Sequence, residues 1–126
     1  MAVPLLKQGE YLIVSLQPGI TDKDWLKLGE DLVEGVGKFR SKGAIMDISA
    51  LDLIDSFAAR TLRNIAHACK LRGTETIIVG MQPEVALAMV QLGLTLGSVL
   101  TALDLEEGLA LLRRQLREKE TRGRRN

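Results

Sequence analysis

The stretch Ala44-Ile-Met-Asp-Ile-Ser-Ala-Leu-Asp-Leu-Ile-Asp-Ser-Phe-Ala-Ala-Arg60 contains a strand, a loop and the start of a helix. Its first five residues form a short apolar run bounded by a glycine and a serine, which is typical of a strand covered on both faces. Beyond Ser56, apolar residues recur at helical spacing with basic residues between them. These apolar positions are Phe57, Leu62, Ile65, Ala66 and Cys69. The change of periodicity at Asp55-Ser56 predicts that a helix begins there.

Two interpretations of Asp55-Ser56 follow from this position. Both residue types cap helices well, so either side chain could serve only as an N-cap. Alternatively, the Ser56 hydroxyl lies over the first helical turn, where unpaired N–H groups and the helix dipole favour added negative charge. A phosphoserine is chemically well suited to that place. The residues alone leave both interpretations open.

The rest of the chain alternates between strand and helix patterns. The predicted strands are Val3 to Leu6, Tyr11 to Leu16, Ala44 to Ile48, Glu75 to Gly80 and Ser98 to Thr101, and the first two pair around Gln8-Gly9. Helices are predicted from a capping box at Thr21 to about Ser41, from Ser56 to about Arg72, from Pro83 to Gly93, and onward from Asp104. The order β-β-α-β-α-β-α-β-α predicts an α/β fold with a mostly parallel central sheet, a leading antiparallel hairpin and about four helices.

Composition is consistent with one ordinary domain. The chain has 126 residues, of which 46% are hydrophobic and 26% charged. Its apolar runs are too short for a bilayer span, and the single cysteine excludes an intramolecular disulfide, so we expect a cytoplasmic protein. Residues 117–126 carry five basic and two acidic side chains, a net charge of +3. Because the whole chain has a net charge of +1, residues 1–116 have a net charge of −2. We therefore expect a folded domain over residues 1–118, a basic, disordered tail over 119–126, and no specific nucleic-acid binding.

The run Ile-Asp-Ser-Phe-Ala-Ala, preceded by Met-Asp-Ile-Ser-Ala-Leu-Asp-Leu, resembles the core of a STAS domain. STAS domains occur in anti-sigma factor antagonists and in the tails of sulfate transporters. The runs Gly80-Met-Gln-Pro-Glu-Val-Ala and Thr101-Ala-Leu-Asp-Leu-Glu-Glu-Gly-Leu109 resemble the stressosome branch of the family, and the short length resembles its scaffold antagonist. In this family the serine or threonine after the aspartate is the phosphorylation site, which corresponds to Ser56 here. Single antagonists of the anti-sigma kinases tend to continue after that site with a Ser-Gly-Leu-Gly type sequence, whereas Ser56 is followed by Phe57-Ala58-Ala59-Arg60, which favours the scaffold.

The resemblance implies a STAS-type fold over nearly the whole chain and a non-catalytic role in the general stress response. It implies that the protein sequesters a switch serine/threonine kinase and releases it when Ser56 is phosphorylated, with a serine phosphatase reversing the change. Asp55, Phe57 and Arg60 would belong to the phosphosite loop and the kinase-docking face. The partners implied are sensor-bearing STAS paralogues in a large hetero-oligomer, with no cofactor and no metal. The alternative is a stand-alone antagonist that binds an anti-sigma kinase directly.

Other functional classes fit the sequence less well. Ser56 and His67 lie about 16 Å apart along one helix, so they cannot form a catalytic dyad within it. Nothing in the sequence shows that Asp47, Asp52 and Asp55 converge on a metal. The chain has no phosphate-binding loop motif and no dinucleotide glycine pattern. A two-component receiver domain would use Asp47 as acceptor, but the acidic pair expected after the first strand of such a domain is missing. A structural subunit with incidental phosphorylation stays open.

Overall fold

The structure is a computed structural model that describes residues 3–124. It consists of five strands and four helices in the order β1 (Leu6–Gln8), β2 (Tyr11–Ser15), α1 (Asp22–Lys38), β3 (Gly43–Asp47), α2 (Ser56–Leu71), β4 (Glu75–Val79), α3 (Pro83–Gln91), β5 (Leu100–Ala102) and α4 (Leu105–Arg124). The predicted α/β class, element order and number of helices are therefore confirmed.

The strands form one sheet in the spatial order β1-β2-β3-β4-β5. β1 and β2 are antiparallel, with Gln8 opposite Tyr11, and every later neighbouring pair is parallel. The predicted hairpin and the mostly parallel sheet are confirmed. Because the parallel strands share one direction, the loops that follow β2 and β3 lie at the same end of the sheet, the carboxyl-terminal end of these strands. Helix α2 begins at that end.

Helices cover both faces of the sheet, which explains why the central strands are apolar throughout. One face carries the larger core, in which Val14 and Met46 of the sheet pack with Leu28 of α1 and Leu62 of α2. The other face packs Ile45 and neighbouring residues against Leu112 of α4. Full burial of both faces removes the polar alternation of a half-exposed strand.

The helix starts predicted from the sequence are present. The Thr21 side chain accepts from the Asp24 N–H at 3.1 Å, and the Asp24 carboxylate accepts from the Thr21 N–H at 3.2 Å. The latter bond holds the pKa of the Asp24 carboxyl below its usual value. Asp104 accepts from the Glu107 N–H at 2.9 Å, which completes the start of α4. Local capping chemistry thus sets both helix boundaries.

Two sequence expectations differ from the structure at the ends of the chain. The first strand runs over Leu6–Gln8 instead of Val3 to Leu6, because Val3 and Leu5 pack against the larger core instead of joining the ladder. Residues 119–124 are helical, where we expected disorder; residues 125 and 126 of that predicted tail lie outside the described part. The Lys119 ammonium lies 3.3 Å from the Glu75 carboxylate, and the Glu120 carboxylate lies 3.7 Å from the Lys42 ammonium. The last turns of the helix are therefore held by ion pairs, and ion pairs leave no apolar periodicity in the sequence.

Candidate functional site

Asp55 is the N-cap of α2. Its backbone is extended, with φ −90° and ψ 174°, and its Oδ1 accepts from the Ala58 N–H at 2.7 Å. A carboxylate in this geometry satisfies one of the N–H groups that the first turn leaves unpaired. Of the two residues that the sequence offered as caps, the structure assigns the capping role to Asp55.

Ser56 is therefore the first residue of the helix, and it is half-buried. Within residues 3–124 no hydrogen bond to its hydroxyl group is found, and the capping bond is made by its neighbour Asp55. The hydroxyl is consequently not committed to holding the helix start. A hydroxyl oxygen of this kind can act as an acceptor for a transferred phosphoryl group without loss of the cap.

The loop that presents Ser56 is fixed at its β3 end by hydrogen bonds between side chains and the Ser49 backbone. Asp47 Oδ1 accepts from the Ser49 N–H at 2.9 Å, and the Gln82 side chain donates to the Ser49 carbonyl oxygen at 2.8 Å. Gly80 has φ +78°, and a Cβ atom there would lie 2.7 Å from the Ser49 side chain. Asp47 is thus used to shape the loop, and β4 and α3 support it from the side.

A groove of about 340 Å³ lies beside the start of α2, between the loops that follow β2 and β3. Trp25 and Leu51, both largely buried, contribute apolar surface to it. Asp52 and Asp55 line the same groove and make it acidic on the α2 side. Leu53, another lining residue, is 83% exposed, so its side chain is accessible from solvent beside the groove.

Phe57 and Arg60, the other residues expected at the docking face, differ in accessibility. Phe57 is half-buried and packs against the larger core, so only part of its ring is available at the surface. Arg60 is exposed, and no ion pair to it is found among residues 3–124. The accessible surface around Ser56 is therefore formed by Leu53, Asp55 and Arg60 in addition to the serine.

Alternative chemical sites do not assemble. His67 is exposed on the second half of α2 and is remote in sequence from the free hydroxyl at its start. Within residues 3–124 no three His, Cys, Asp or Glu side chains come together as a metal site. Cys69 is buried, and its burial raises the pKa of the thiol, which disfavours the nucleophilic thiolate.

Leu53 and Gln82 belong to the site, although the sequence did not identify them. The exposure of Leu53 has no local signal, because an apolar residue in Leu-Asp-Leu-Ile could equally have been buried. Gln82 lies 26 residues after Ser56 in the chain and reaches the loop only through the parallel pairing of β3 with β4. Its only sequence signal was its place immediately before Pro83, at a predicted helix start.

Comparison with known proteins gives three informative matches. RsbT co-antagonist protein RsbRA of Bacillus subtilis (strain 168) is 30% identical over 110 residues, which are 86% of this chain and 40% of RsbRA. A Moorella thermoacetica RsbS variant with glutamate in place of a serine is 33% identical, has a TM-score of 0.81, and is covered over 91% of this chain and 97% of that one. A chain in a structure of the stressosome, described as a signal integration and transduction hub, is also 33% identical, with a TM-score of 0.79 over 90% and 99% of the two chains.

The chain thus spans less than half the length of the RsbRA relative, but nearly the whole of the two solved chains. No helix within residues 3–124 is both long and apolar enough to cross a membrane. The STAS domain model matches residues 5–107, which include every strand and the complete loop that presents Ser56. This chain belongs to the STAS domain family and is homologous to stressosome proteins of the RsbR and RsbS type.

Proposed function

We propose that the protein is a non-catalytic scaffold subunit of a stressosome and an antagonist of a switch serine kinase. The unmodified chain holds the kinase, and phosphorylation of Ser56 releases it. The observation that carries the proposal is the division of roles at the start of α2, where Asp55 makes the capping hydrogen bond and leaves the Ser56 hydroxyl uncommitted. Modification can therefore alter the surface without dismantling the fold.

The chemistry requires only an external kinase. The γ-phosphoryl group of ATP passes to Ser56 Oγ, the hydroxyl proton is lost, and ADP leaves. The modified serine then carries roughly 1.5 to 2 negative charges at neutral pH. The N-terminal end of a helix accommodates added negative charge, so the change acts mainly on the partner's surface. A serine phosphatase would restore the binding state.

The relatives support this assignment by their descriptions. RsbRA is named as a co-antagonist of RsbT, and the solved RsbS variant carries glutamate where that protein has a serine, a replacement that introduces negative charge. A structural relative comes from the stressosome itself. By analogy, this chain would assemble in the cytoplasm with longer, sensor-bearing STAS paralogues and would act without a cofactor.

A stand-alone antagonist that binds an anti-sigma kinase directly is the alternative within the same family. The two roles differ in assembly. A scaffold subunit forms a large complex when mixed with a sensor-bearing paralogue, whereas a stand-alone antagonist stays small. Size exclusion with light scattering, on the chain alone and with the paralogue, separates them: a large mixed particle supports the scaffold, and a monomer in both samples contradicts it.

The kinase-holding function is tested by comparing two forms of the full chain, one unmodified and one with phosphoserine installed at position 56 during translation. We expect the phosphoserine form to bind the switch kinase at least tenfold more weakly, because a phosphate carrying roughly 1.5 to 2 negative charges would have to lose its hydration inside the contact. Ser56→Ala is the control and should bind as the unmodified chain does. Equal affinity of the phosphorylated and unmodified forms would contradict the release mechanism.

A further inference from the structure

The charged side chains of α2 are all basic, and one of them lies one helical turn after the proposed phosphosite. Between Ser56 and Leu71 the helix contains no acidic residue. Its basic side chains are Arg60, Arg63 and Lys70. The helix neighbours of Arg60 at spacings of three and four are Ser56, Phe57, Arg63 and Asn64, none of which is an anion. Arg60 thus lacks an acidic neighbour along its own helix until Ser56 is modified.

Helix geometry brings position 60 next to position 56. Residues four apart lie on the same face, about 6 Å apart along the axis. Long side chains on a helix point back toward its N-terminus, so the Arg60 side chain leads toward Ser56 and away from the C-terminal half of α2. Arg60 is exposed, and no described residue holds it in an ion pair. Its guanidinium can therefore move to meet a new anion.

We propose that the phosphate on Ser56 pairs with the Arg60 guanidinium within the same helix, and that this pairing withdraws Arg60 from the kinase-docking face. The inference rests on the proposed function and specifies how the switch works. An anion placed four residues before a cation is the stabilising order of charges on a helix. A planar guanidinium also matches two phosphate oxygens at once.

The neighbouring cap makes the pairing more important. The Asp55 carboxylate lies one residue before Ser56 and is occupied with the Ala58 N–H. A dianionic phosphate beside this carboxylate repels it, and Arg60 supplies a compensating positive charge on the same turn. Phosphorylation would then change the docking surface twice: it adds a negative group at position 56 and removes a positive group at position 60.

Arg63 provides a matched control. It carries the same charge on the same helix, but it lies seven residues from Ser56, roughly 10 Å along the axis, and is half-buried. A general effect of positive charge on α2 would be shared by Arg60 and Arg63. A specific pair would depend on Arg60 alone.

The test uses the full chain with phosphoserine installed at position 56 during translation, so that it does not depend on any kinase. The second pKa of the phosphate is measured by ³¹P NMR in the parent, Arg60→Gln and Arg63→Gln proteins. A pair with Arg60 stabilises the dianion, so Arg60→Gln should raise this pKa by roughly 0.3 unit, with a smaller change in Arg63→Gln. An unchanged value in Arg60→Gln, or an equal rise in both variants, would overturn the proposed pair.

Kinase affinity tests the withdrawal from the docking face. If Arg60 contacts the kinase only in the unmodified state, Arg60→Gln should weaken binding of the unmodified chain and reduce the fold-loss caused by phosphoserine. Unaltered binding of unmodified Arg60→Gln would overturn the withdrawal. A parent chain that never binds the kinase would instead contradict the proposed function, and the phosphate titration would still decide whether the pair forms.

Discussion

Asp55 and Ser56 divide two tasks that a single residue would have to combine. The Asp55 carboxylate holds the first turn of α2 through the Ala58 N–H, and the Ser56 hydroxyl is left without a described hydrogen-bond partner. If the serine itself were the cap, its modification would break the bond that starts the helix. The separation allows a charge to be added and removed at position 56 while α2 stays folded.

Loss of the cap should therefore cost stability even though Asp55 is exposed. We expect Asp55→Ala to lower the free energy of unfolding by about 1 kcal/mol, because the Ala58 N–H loses its acceptor. Asp55→Asn should recover most of this, since asparagine caps equally well. Urea denaturation measures both, with Asp52→Ala as the exposed control from the same loop. An Asp55→Ala protein as stable as the Asp52→Ala protein would show that the cap contributes nothing.

Cys69 predicts a specific loss of stability at alkaline pH. Burial raises the pKa of its thiol in the folded protein, so above about pH 8.5 the unfolded chain ionises first. The contribution of the protonated Cys69 thiol to the free energy of unfolding is fully present below that pH. It is lost as the pH rises through the folded pKa, by at most about 1.4 kcal/mol per pH unit.

Urea titrations at pH 8 and pH 10.5 measure this effect. The decline between the two pH values should be larger in the parent protein than in Cys69→Ala, a comparison that removes the contributions of lysine and tyrosine. Identical declines in the two proteins would refute a raised thiol pKa.

At the scale of elements, α4 closes the second face of the sheet through two glycines. A Cβ atom at Gly43 of β3 would collide with the Leu112 side chain, and one at Gly108 of α4 would lie 2.5 Å from Val79 Cγ1. Leu112 is fully buried. The helix can approach the sheet this closely only because both positions lack a side chain.

Gly108→Ala sets two effects against each other. Alanine in place of glycine favours the helix by up to about 1 kcal/mol, but the clash with Val79 costs typically about 1 to 3 kcal/mol. We expect a net destabilisation, measured by thermal or urea unfolding. Gly123→Ala on the same helix is the control, because no atom lies within 4 Å of its Cβ position. It should be neutral or slightly stabilising. A stabilised Gly108→Ala protein would contradict the close packing of α4.

Elements with a strong periodic signal were predictable, and those set by distant partners were not. The buried strands and the caps at Thr21 and Asp104 follow from local pattern and local chemistry. The last turns of α4 do not, because their ordering involves Lys119, which reaches Glu75 across 44 positions of the chain. A charged segment without apolar residues gives no local indication of such a partner.

On the scale of the whole molecule, the two ends of the parallel strands have different roles. The carboxyl-terminal end of the sheet carries the start of α2, the acidic groove and the exposed Leu53. The amino-terminal end carries ion pairs that connect Lys42 and Glu75 to the end of α4. The first end is thus accessible to a partner, whereas the second holds the last helix against the sheet.

The contribution of the ion pair between Lys119 and Glu75 to the stability of the protein should be measurable. Its ammonium group lies 3.3 Å from a Glu75 carboxylate whose side chain is only 10% exposed. Lys119→Ala would leave that carboxylate largely desolvated without a partner, and we expect a loss of about 1 kcal/mol, moderated because the lysine itself is half exposed.

A double-mutant cycle with Glu75→Gln separates the pair from other effects. The double variant should lose less free energy of unfolding, measured with urea, than the sum of the losses in the two single variants. Arg122→Ala, an exposed change on the same helix, serves as control. Strict additivity of the two changes would mean that the pair does not contribute.

The candidate site was predictable in part. The change of periodicity located Asp55 and Ser56, and the family resemblance drew attention to the serine. The sequence could not decide which of the two is the cap, because both residue types have the required oxygen; only the backbone geometry assigns it to Asp55. The support from Gln82 and the exposure of Leu53 depend on how β4 and α3 are placed beside the loop. Those features arise from tertiary structure and have no local sequence signal.

Phosphorylation at one serine tests the central claim most directly. The full chain is incubated with ATP and the switch kinase, intact mass is recorded, and any added phosphate is located by fragmentation, with Ser56→Ala treated in parallel. The account predicts a single phosphate on Ser56 that is missing in the variant. No added phosphate, or a phosphate that persists in Ser56→Ala, would contradict it.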